Sequence, residues 1–186
     1  MHEKLARIKM LVMDVDGTLT DGAMILYNSE QVKSFNVYDG LGIRLAMNYG
    51  LKIAWITGNA STSVDERATA LGVEDVYQRA RCKSVALDDL ASRHNLRHEE
   101  IAYIGDDLND LPAFERAGFC FAVNNAADEL KRRADMVTER SGGHGAVREA
   151  IEAILKARGQ WEDAVQSFLG ELEREEAGEK GPEAVA

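Results

Sequence analysis

The 186-residue sequence has only two cysteines and no long apolar run. Cys82 and Cys120 are far apart and form no CxxC pair, which argues against a disulfide framework or a zinc site. No stretch approaches the ~18 apolar residues of a membrane-spanning helix, and the first residues lack the apolar core of a signal peptide. We therefore expect a soluble cytoplasmic protein.

Positive charge is also scarce, since 22 Lys and Arg stand against 32 Asp and Glu and the formal net charge is -10. Nucleic acid and anionic membrane surfaces would be repelled at long range, so neither is expected as a partner. A small anionic substrate is still compatible with this balance, because a metal ion and a local cluster of cations can reverse the field inside a pocket.

Short apolar runs alternate with amphipathic segments along most of the chain. The runs that indicate buried strands are 8–15, 51–57, 73–77, 101–105, 118–123 and 134–138. Apolar residues recur at helical spacing in the segments between them. This alternation predicts an α/β fold with a doubly wound, mostly parallel sheet covered on both faces, which we assign to one domain at 1–160.

Two segments depart from this alternation. Residues 23–37 hold two extended runs around 28–30, which predicts a β-hairpin that follows the first strand as a flap, screening a site or contacting another subunit. Residues 160–172 have the spacing of an amphipathic helix, whereas 171–186 are acidic and poor in apolar residues. We therefore predict that 161–186 is a C-terminal helix followed by a mobile tail.

Polar residues follow the predicted strands at the sheet edge where α/β folds bind ligands. They are Asp14 and Asp16, Thr57 and Gly58, Asp106, and, six positions after the third run, Lys83. Each one alone could be a turn residue or a helix cap, but a structural role does not require their order at successive strand ends.

Together these residues predict magnesium-dependent phosphoryl transfer. Several carboxylates held together need a cation, and oxygen ligands suit Mg²⁺. The cation and Lys83 would neutralise a phosphoryl group, while Thr57 and the N–H of Gly58 would hold its oxygens at a helix N-terminus. One aspartate could then attack phosphorus, and a second could protonate the leaving alcohol and later activate water.

The same residues resemble the four motifs of the haloacid dehalogenase superfamily. Asp-Val-Asp-Gly-Thr-Leu-Thr at 14–20 is similar to motif I, and Gly-Asp-Asp-Leu-Asn-Asp at 105–110 is similar to motif IV. Thr57 with Gly58 resembles motif II, and Lys83 resembles motif III. The second aspartate of motif I, Asp16, is typical of the phosphatases rather than the dehalogenases.

A narrower resemblance, over roughly 8–160, is to the 3-deoxy-D-manno-octulosonate (Kdo) 8-phosphate phosphatases. It rests on the hairpin after motif I, on the lack of a large cap insert, and on Phe-Asn-Val-Tyr-Asp-Gly at 35–40 and Gly-Gly-His-Gly-Ala-Val-Arg-Glu at 142–149. It implies a Mg²⁺-dependent homotetramer that releases Kdo for lipopolysaccharide synthesis. The hairpin and C-terminal tail of neighbouring subunits would replace the missing cap.

The resemblance also implies a role for each matching residue. Asp14 would be nucleophile and metal ligand, Asp16 acid/base and metal ligand through its backbone carbonyl, and Asp106 the third ligand. The phosphoryl group would be held by Thr57, Gly58 and Lys83, with Asp110 orienting Lys83 and with Asp107 and Asn109 in support. The substrate-contact positions are matched by Asn36, Asp39, Gly40, Arg44 and Arg67.

Three positions depart from the family pattern. Tyr38 and Asn59 stand where arginine is frequent, and Arg79 replaces a frequent glycine. In the family the residue at 59 reaches the substrate carboxylate, and related phosphatases of nine-carbon keto acids can carry glutamate there. Arg79 or Arg81 could supply the missing charge.

Two further interpretations of the function stay open. The substrate could be a nine-carbon keto sugar acid 9-phosphate or another small sugar phosphate instead of Kdo 8-phosphate. The chain could also be a non-catalytic oligomerisation module, but the retention of Asp14, Asp16, Lys83 and Asp106 disfavours that interpretation.

Overall fold

The computed structural model describes residues 1–27 and 30–178. The strands in this part of the chain are β1 Met10–Met13, β2 Ile25–Tyr27, β3 Glu30–Val32, β4 Lys52–Ile56, β5 Asp75–Tyr77, β6 Ile101–Gly105, β7 Phe119–Ala122 and β8 Met136–Val137. The α-helices are α1 His2–Ala6, α2 Val37–Asn48, α3 Thr62–Leu71, α4 Lys83–Arg93, α5 Leu111–Phe114, α6 Asp128–Arg133, α7 Ala146–Ala157 and α8 Trp161–Glu176.

Six of the strands form one parallel sheet in the order β5-β4-β1-β6-β7-β8. From β1 the order runs one way through β4 and β5 and the other way through β6, β7 and β8, so the topology reverses beside β1. Open α/β sheets bind ligands outside the C-terminal strand ends at such a reversal. The predicted doubly wound α/β sheet is confirmed, and its topology indicates that the loop after β1 lies at the ligand-binding edge.

The strands are buried because helices cover both faces of the sheet, so their sequences are apolar throughout rather than alternating. All four residues of β1 are fully buried, as are Trp55 of β4 and Tyr103 of β6. Five of the six predicted runs are longer than the observed strands, since their outer residues belong to the loops. For the first run, residues 14 and 15 lie beyond the C-terminal end of β1.

Helix α7 shows how the amphipathic segments attach to the sheet. Its residues Val147, Ile151, Ile154 and Leu155 are fully buried, and the helix packs against α1, α2 and α8. Burying each such side chain stabilises the fold by roughly 1.5–3 kcal/mol.

The C-terminal helix α8 packs on α7 and α2. The guanidinium carbon of Arg148 lies 5.1 Å from the ring centre of Trp161 at its start, and the Lys156 ammonium lies 5.5 Å from it. The helix continues to Glu176, beyond the predicted end at 172. Residues 179–186 of the predicted mobile tail lie outside the described residues.

The hairpin consists of β2 and β3, which pair antiparallel with Ile25 opposite Val32. This confirms the predicted hairpin, whose turn residues 28 and 29 lie outside the described residues. The hydroxyl of Ser61, just before α3, donates to the carbonyl of Gln31 at 2.8 Å, which ties the hairpin to the body. The described residues contain no large cap domain, and none of their helices has the length and apolar character needed to cross a bilayer.

Candidate active site

A cavity of about 280 Å³ opens at the C-terminal edge of the sheet, beside β1. The residues that line it are Asp14, Asp16, Thr57, Gly58, Asn59, Ala80, Arg81, Lys83 and Asn109. They come from the ends of β1 and β4, the loop before α4 and the turn after β6. The structure therefore brings the four predicted catalytic residues around one cavity.

The turn at 15–19 sets the directions of the two aspartates that follow β1. Gly17 has a φ of +93°, a left-handed value that side chains other than glycine rarely adopt. A Cβ at this position would also lie 2.1 Å from Oδ2 of Asp106. Glycine is therefore needed twice over, and its bare backbone lets the turn lie directly against the Asp106 carboxylate.

Lys83 is the buried cation of the site, with its side chain only 1% exposed. As the first residue of α4, it directs its ammonium to Oδ1 of Asp14 at 2.7 Å and to Oδ1 of Asp110 at 2.5 Å. Burial lowers the pKa of Lys83, but the carboxylates of Asp14 and Asp110 outweigh it, so the net pKa is raised. Lys83 is therefore a fixed positive charge beside Asp14.

Asp110 holds this arrangement in place. Its Oδ1 also accepts from the Tyr103 hydroxyl at 2.8 Å, and its Oδ2 accepts from the backbone N–H groups of Asp106 at 2.9 Å and Asp107 at 3.2 Å. Both oxygens thus have two donors each, which uses the acceptor capacity of a carboxylate. This geometry agrees with the predicted role of Asp110 in orienting Lys83.

The acidic cluster fits a divalent cation. One carboxylate oxygen from each of Asp14, Asp106 and Asp110 lies within 4.8 Å of the others. Burial and the charge of Asp110 raise the pKa of Asp14 well above its usual range, and the same two causes raise the pKa of Asp106 to about 6. Because Asp110 is saturated, Asp14 and Asp106 are the carboxylates left to bind a cation, and an all-oxygen donor set suits Mg²⁺.

Asp16 also lines the cavity, but its carboxylate is bound by three neighbours outside this cluster. Its Oδ2 accepts from the Asn59 amide at 3.1 Å and from the Thr57 hydroxyl at 3.4 Å. Its Oδ1 forms an ion pair with Lys33, whose side chain is 6% exposed. The Asp16 side chain is itself about a third exposed, so it is accessible to a leaving group or to water.

Lys33 is the functional candidate that the sequence reasoning missed. It directly follows β3, and its ammonium reaches from the hairpin into the site. The sequence did carry a signal, because Lys33 is the only Lys or Arg in the segment 23–37 that was predicted to project over the first strand. A cation on a flap above an acidic site is a candidate for contact with that site.

Thr57 and Gly58 line the cavity, but the prediction that they lie at a helix N-terminus is wrong. Helix α3 begins only at Thr62, and residues 57–61 form a loop between it and β4. In the loop, the Thr57 hydroxyl accepts from the backbone N–H of Asn59 at 3.2 Å. In the turn after β6, the Asp107 side chain accepts from the N–H of Leu108 at 2.8 Å. This turn presents Asn109 to the cavity.

The predicted substrate-contact residues are placed elsewhere in the described part of the chain. A separate space of about 10 Å³ is lined in part by Asn36, Asp39, Gly40 and Arg67. Asn36 caps α2 and donates to the carbonyl of Gly143 at 3.1 Å, and Asp39 is buried and accepts from the N–H of Arg148 at 2.7 Å. Arg44 is half-buried in α2. Contact of these five residues with a substrate stays a prediction.

The chain is similar to known proteins in both sequence and structure. The profile of the haloacid dehalogenase-like hydrolases matches residues 68–151. The Kdo 8-phosphate phosphatase of Escherichia coli K12 is 41% identical over 162 residues, covering 87% of this chain and 86% of that protein. The Haemophilus influenzae protein of the same name is 40% identical over 172 residues, covering 91% and 96%.

A solved structure agrees with these sequence relatives. The Kdo 8-phosphate phosphatase of Moraxella catarrhalis, crystallised with magnesium, phosphate and Kdo, superimposes with a TM-score of 0.87 at 39% identity. The match covers 90% of this chain and 97% of that one. Fold, site and sequence therefore agree, and this chain belongs to the Kdo 8-phosphate phosphatase family of the haloacid dehalogenase-like hydrolases.

Proposed function

We propose that this chain hydrolyses Kdo 8-phosphate to Kdo and inorganic phosphate through an aspartyl-phosphate intermediate. The observation that carries the proposal is the placement of Asp14 in the cavity, with Lys83 bonded to it and with Asp16 lining the same cavity. A nucleophile, a fixed cation and an acid/base group around one space are the parts that phosphoryl transfer through an acyl phosphate requires.

In the first half of the reaction, a carboxylate oxygen of Asp14 forms a bond to phosphorus, and the bond between phosphorus and O8 of the sugar breaks. O8 takes a proton from the Asp16 carboxyl as it leaves. Lys83 has three N–H bonds, of which two reach Asp14 and Asp110, so the third is available to a phosphoryl oxygen. The hydroxyl of Thr57 and the N–H of Gly58 would hold the other oxygens.

In the second half, Asp16 is a carboxylate and takes a proton from a water molecule. The water oxygen bonds to phosphorus and the bond between phosphorus and Asp14 breaks, which releases phosphate and restores both aspartates. The same residue thus serves as acid and then as base.

The residues that would hold Mg²⁺ are Asp14 and Asp106 through their carboxylates and Asp16 through its backbone carbonyl. When bound, the ion supplies positive charge against the phosphoryl oxygens and relieves the repulsion between the buried carboxylates. The chain itself holds the carboxylates of Asp14 and Asp106 close together, and Lys83 bonds to both Asp14 and Asp110.

Phosphate release from a panel of substrates tests the proposal. Kdo 8-phosphate should give a higher kcat/KM than a nine-carbon keto sugar acid 9-phosphate or a hexose 6-phosphate. The nine-carbon alternative is included because position 59, where arginine is frequent in the family, holds a neutral asparagine that is bonded to Asp16. A higher kcat/KM for the nine-carbon substrate would move the assignment to that alternative, and equal turnover of all three would contradict both.

We further propose that the enzyme is a cytoplasmic homotetramer acting in lipopolysaccharide biosynthesis. The exposed apolar residues of the hairpin, including Met24, Leu26 and Tyr27, support assembly, because a large apolar surface on a two-stranded sheet calls for a partner. Both cysteines are free, and Cys82 is exposed, as expected in a reducing compartment. Depletion of the enzyme from cells should lead to accumulation of the phosphorylated sugar acid.

A further inference from the structure

The cavity has a second positive charge, Arg81, in addition to Lys83. The two cations differ in their surroundings. Lys83 is buried and already bonded to two carboxylates, whereas Arg81 is exposed. Within residues 1–27 and 30–178, the Arg81 guanidinium makes no hydrogen bond or ion pair. It is therefore the cation of the cavity lining that is free to bind an incoming anion.

The backbone fixes Arg81 at the rim of the cavity. The N–H of Ala80 donates to the carbonyl of Thr57 at 3.0 Å, and the N–H of Arg79 donates to the carbonyl of Asn59 at 3.2 Å. The N–H of Arg81 then donates back to the carbonyl of Arg79 at 3.1 Å. The loop before α4 is thus attached to the loop after β4, and Arg81 is anchored beside the phosphoryl-binding residues.

Arg81 differs from Arg79, the other cation of this loop, in its position relative to the cavity. Arg79 has a φ of +56°, so its backbone is in the left-handed region, and it is not among the residues that line the cavity. Asn59 lines the cavity but is neutral, and its amide is used by Asp16. Of the candidates in these two loops, only Arg81 has both the charge and the position to meet a second anionic group.

We propose that Arg81 binds the carboxylate of the sugar acid and so selects acidic over neutral sugar phosphates. This inference rests on the proposed function, which supplies a substrate with a phosphoryl group and a carboxylate. The phosphoryl group would occupy the end of the cavity formed by Asp14, Thr57 and Lys83, and the carboxylate would reach the rim. A guanidinium offers two parallel N–H groups that match a carboxylate, which gives both affinity and orientation.

The test compares wild type, Arg81→Gln, Arg81→Lys and Arg79→Asn on two substrates. Kdo 8-phosphate has the carboxylate, and D-mannose 6-phosphate lacks it. Arg81→Gln should raise KM for Kdo 8-phosphate by about ten- to a hundredfold, as expected for loss of a charged hydrogen-bonded pair. It should leave KM for mannose 6-phosphate unchanged. Arg81→Lys should restore part of the affinity, because the charge remains but the paired N–H groups are lost.

Product inhibition gives a second measurement. In the Arg81→Gln variant, inhibition by Kdo should weaken, whereas inhibition by inorganic phosphate should keep its wild-type value. The inference is overturned if Arg81→Gln raises KM equally for both substrates, or if Arg79→Asn raises KM for Kdo 8-phosphate as much as Arg81→Gln does.

These outcomes are distinguishable from failure of the proposed function. If the wild-type enzyme shows no preference for Kdo 8-phosphate over mannose 6-phosphate, the proposed function and this inference fail together. If the wild type shows the preference and Arg81→Gln retains it, only the role of Arg81 is contradicted.

Discussion

Asp14 carries two properties that pull in opposite directions. As the proposed nucleophile it must be ionised, yet burial and the nearby charges of Asp110 and Asp106 raise its pKa well above the usual range. Lys83 opposes this effect at 2.7 Å, and a bound cation would oppose it further. The ionised Asp14 side chain therefore lowers the stability of the folded state, so the role of this residue is chemical rather than stabilising.

Replacing Asp14 by Asn separates these two properties. We expect turnover of Kdo 8-phosphate to fall by about a thousandfold or more, because no other side chain can form the covalent intermediate. The melting temperature at neutral pH should stay equal or rise, since a buried repulsive charge is removed. Phosphate release and thermal melting measure the two effects, and a variant that keeps wild-type turnover would remove Asp14 from the nucleophile role.

Lys33 is expected to act as a positioning residue for Asp16. Lys33→Ala should lower kcat for Kdo 8-phosphate by about ten- to a hundredfold, a part of what acid–base catalysis commonly contributes. The loss should be smaller for p-nitrophenyl phosphate, whose leaving group departs without a proton, and Lys33→Arg should restore part of the rate. Equal losses on both substrates would indicate a general structural effect instead.

Asp39 gives a pH-dependent contribution to stability. Burial raises the pKa of Asp39 to about 6 from a usual value of 3.8, against the opposing effect of the Arg148 N–H. Below pH 3.8 the carboxyl is protonated in both states. As the pH rises towards 6 the unfolded state ionises first, so the folded state loses up to about 3 kcal/mol relative to it, and this loss persists at higher pH.

The Asp39→Asn variant tests this prediction. Asn removes the ionisable group at this position, and its amide oxygen can keep the bond that Oδ1 of Asp39 accepts from the N–H of Arg148. Relative to wild type, the variant should gain stability between pH 4 and pH 6 and keep that gain at pH 8, as measured by urea unfolding. Asp163→Asn, at an exposed position of α8, is the control and should show no such gain.

At the scale of elements, the hairpin is the part of the fold that is least complete in a single chain. Leu26 is 67% exposed and Tyr27 68%, although both lie in β2. Leu26→Asp should therefore dissociate the proposed tetramer, because a charge in a buried apolar contact is costly. Light scattering after size exclusion measures this effect. Val85→Asp is the matched control on α4, where the wild-type side chain is 64% exposed, and an unchanged mass for Leu26→Asp would contradict assembly through the hairpin.

The elements also show what the sequence could predict. The six strands of the sheet and the hairpin were predictable because each is a local pattern of apolar residues between polar ones. Asp14, Thr57, Lys83 and Asp106 were predictable as neighbours because parallel strands end at one edge of the sheet.

Other features depend on relations that no local pattern contains. The contact between Lys33 and Asp16 requires the hairpin to fold back over the site. The start of α3 at Thr62 depends on how the loop 57–61 packs. Helix α8 continues through 171–176 because Glu, Leu and Arg are good helix formers, which the acidic character of that segment concealed.

At the scale of the whole molecule, a net charge of -10 surrounds a site built for an anionic substrate. The repulsion between the negatively charged protein and an anionic substrate is offset inside the site by Lys83, Arg81, Lys33 and the proposed Mg²⁺. The ion should therefore act on stability as well as on turnover, because it binds only where the folded chain brings Asp14 and Asp106 together.

Removal of metal tests this at the level of the molecule. Chelation should abolish turnover, and Mg²⁺ should restore it. At a hundredfold excess over its Kd, Mg²⁺ should raise the melting temperature of the wild type by about 5–10 °C. Asp106→Asn should lose most of this rise while its metal-free melting temperature stays equal or increases. An equal rise in wild type and variant would contradict the assignment of Asp106 as a ligand.

The ion pair between Lys33 and Asp16 implies that the activity per chain depends on the enzyme concentration. The same hairpin that carries Lys33 also carries the apolar residues proposed to pair with neighbouring subunits, so assembly would restrict the motion of the segment that brings Lys33 to Asp16. The activity per chain should then fall when the enzyme is diluted below the concentration at which its subunits associate.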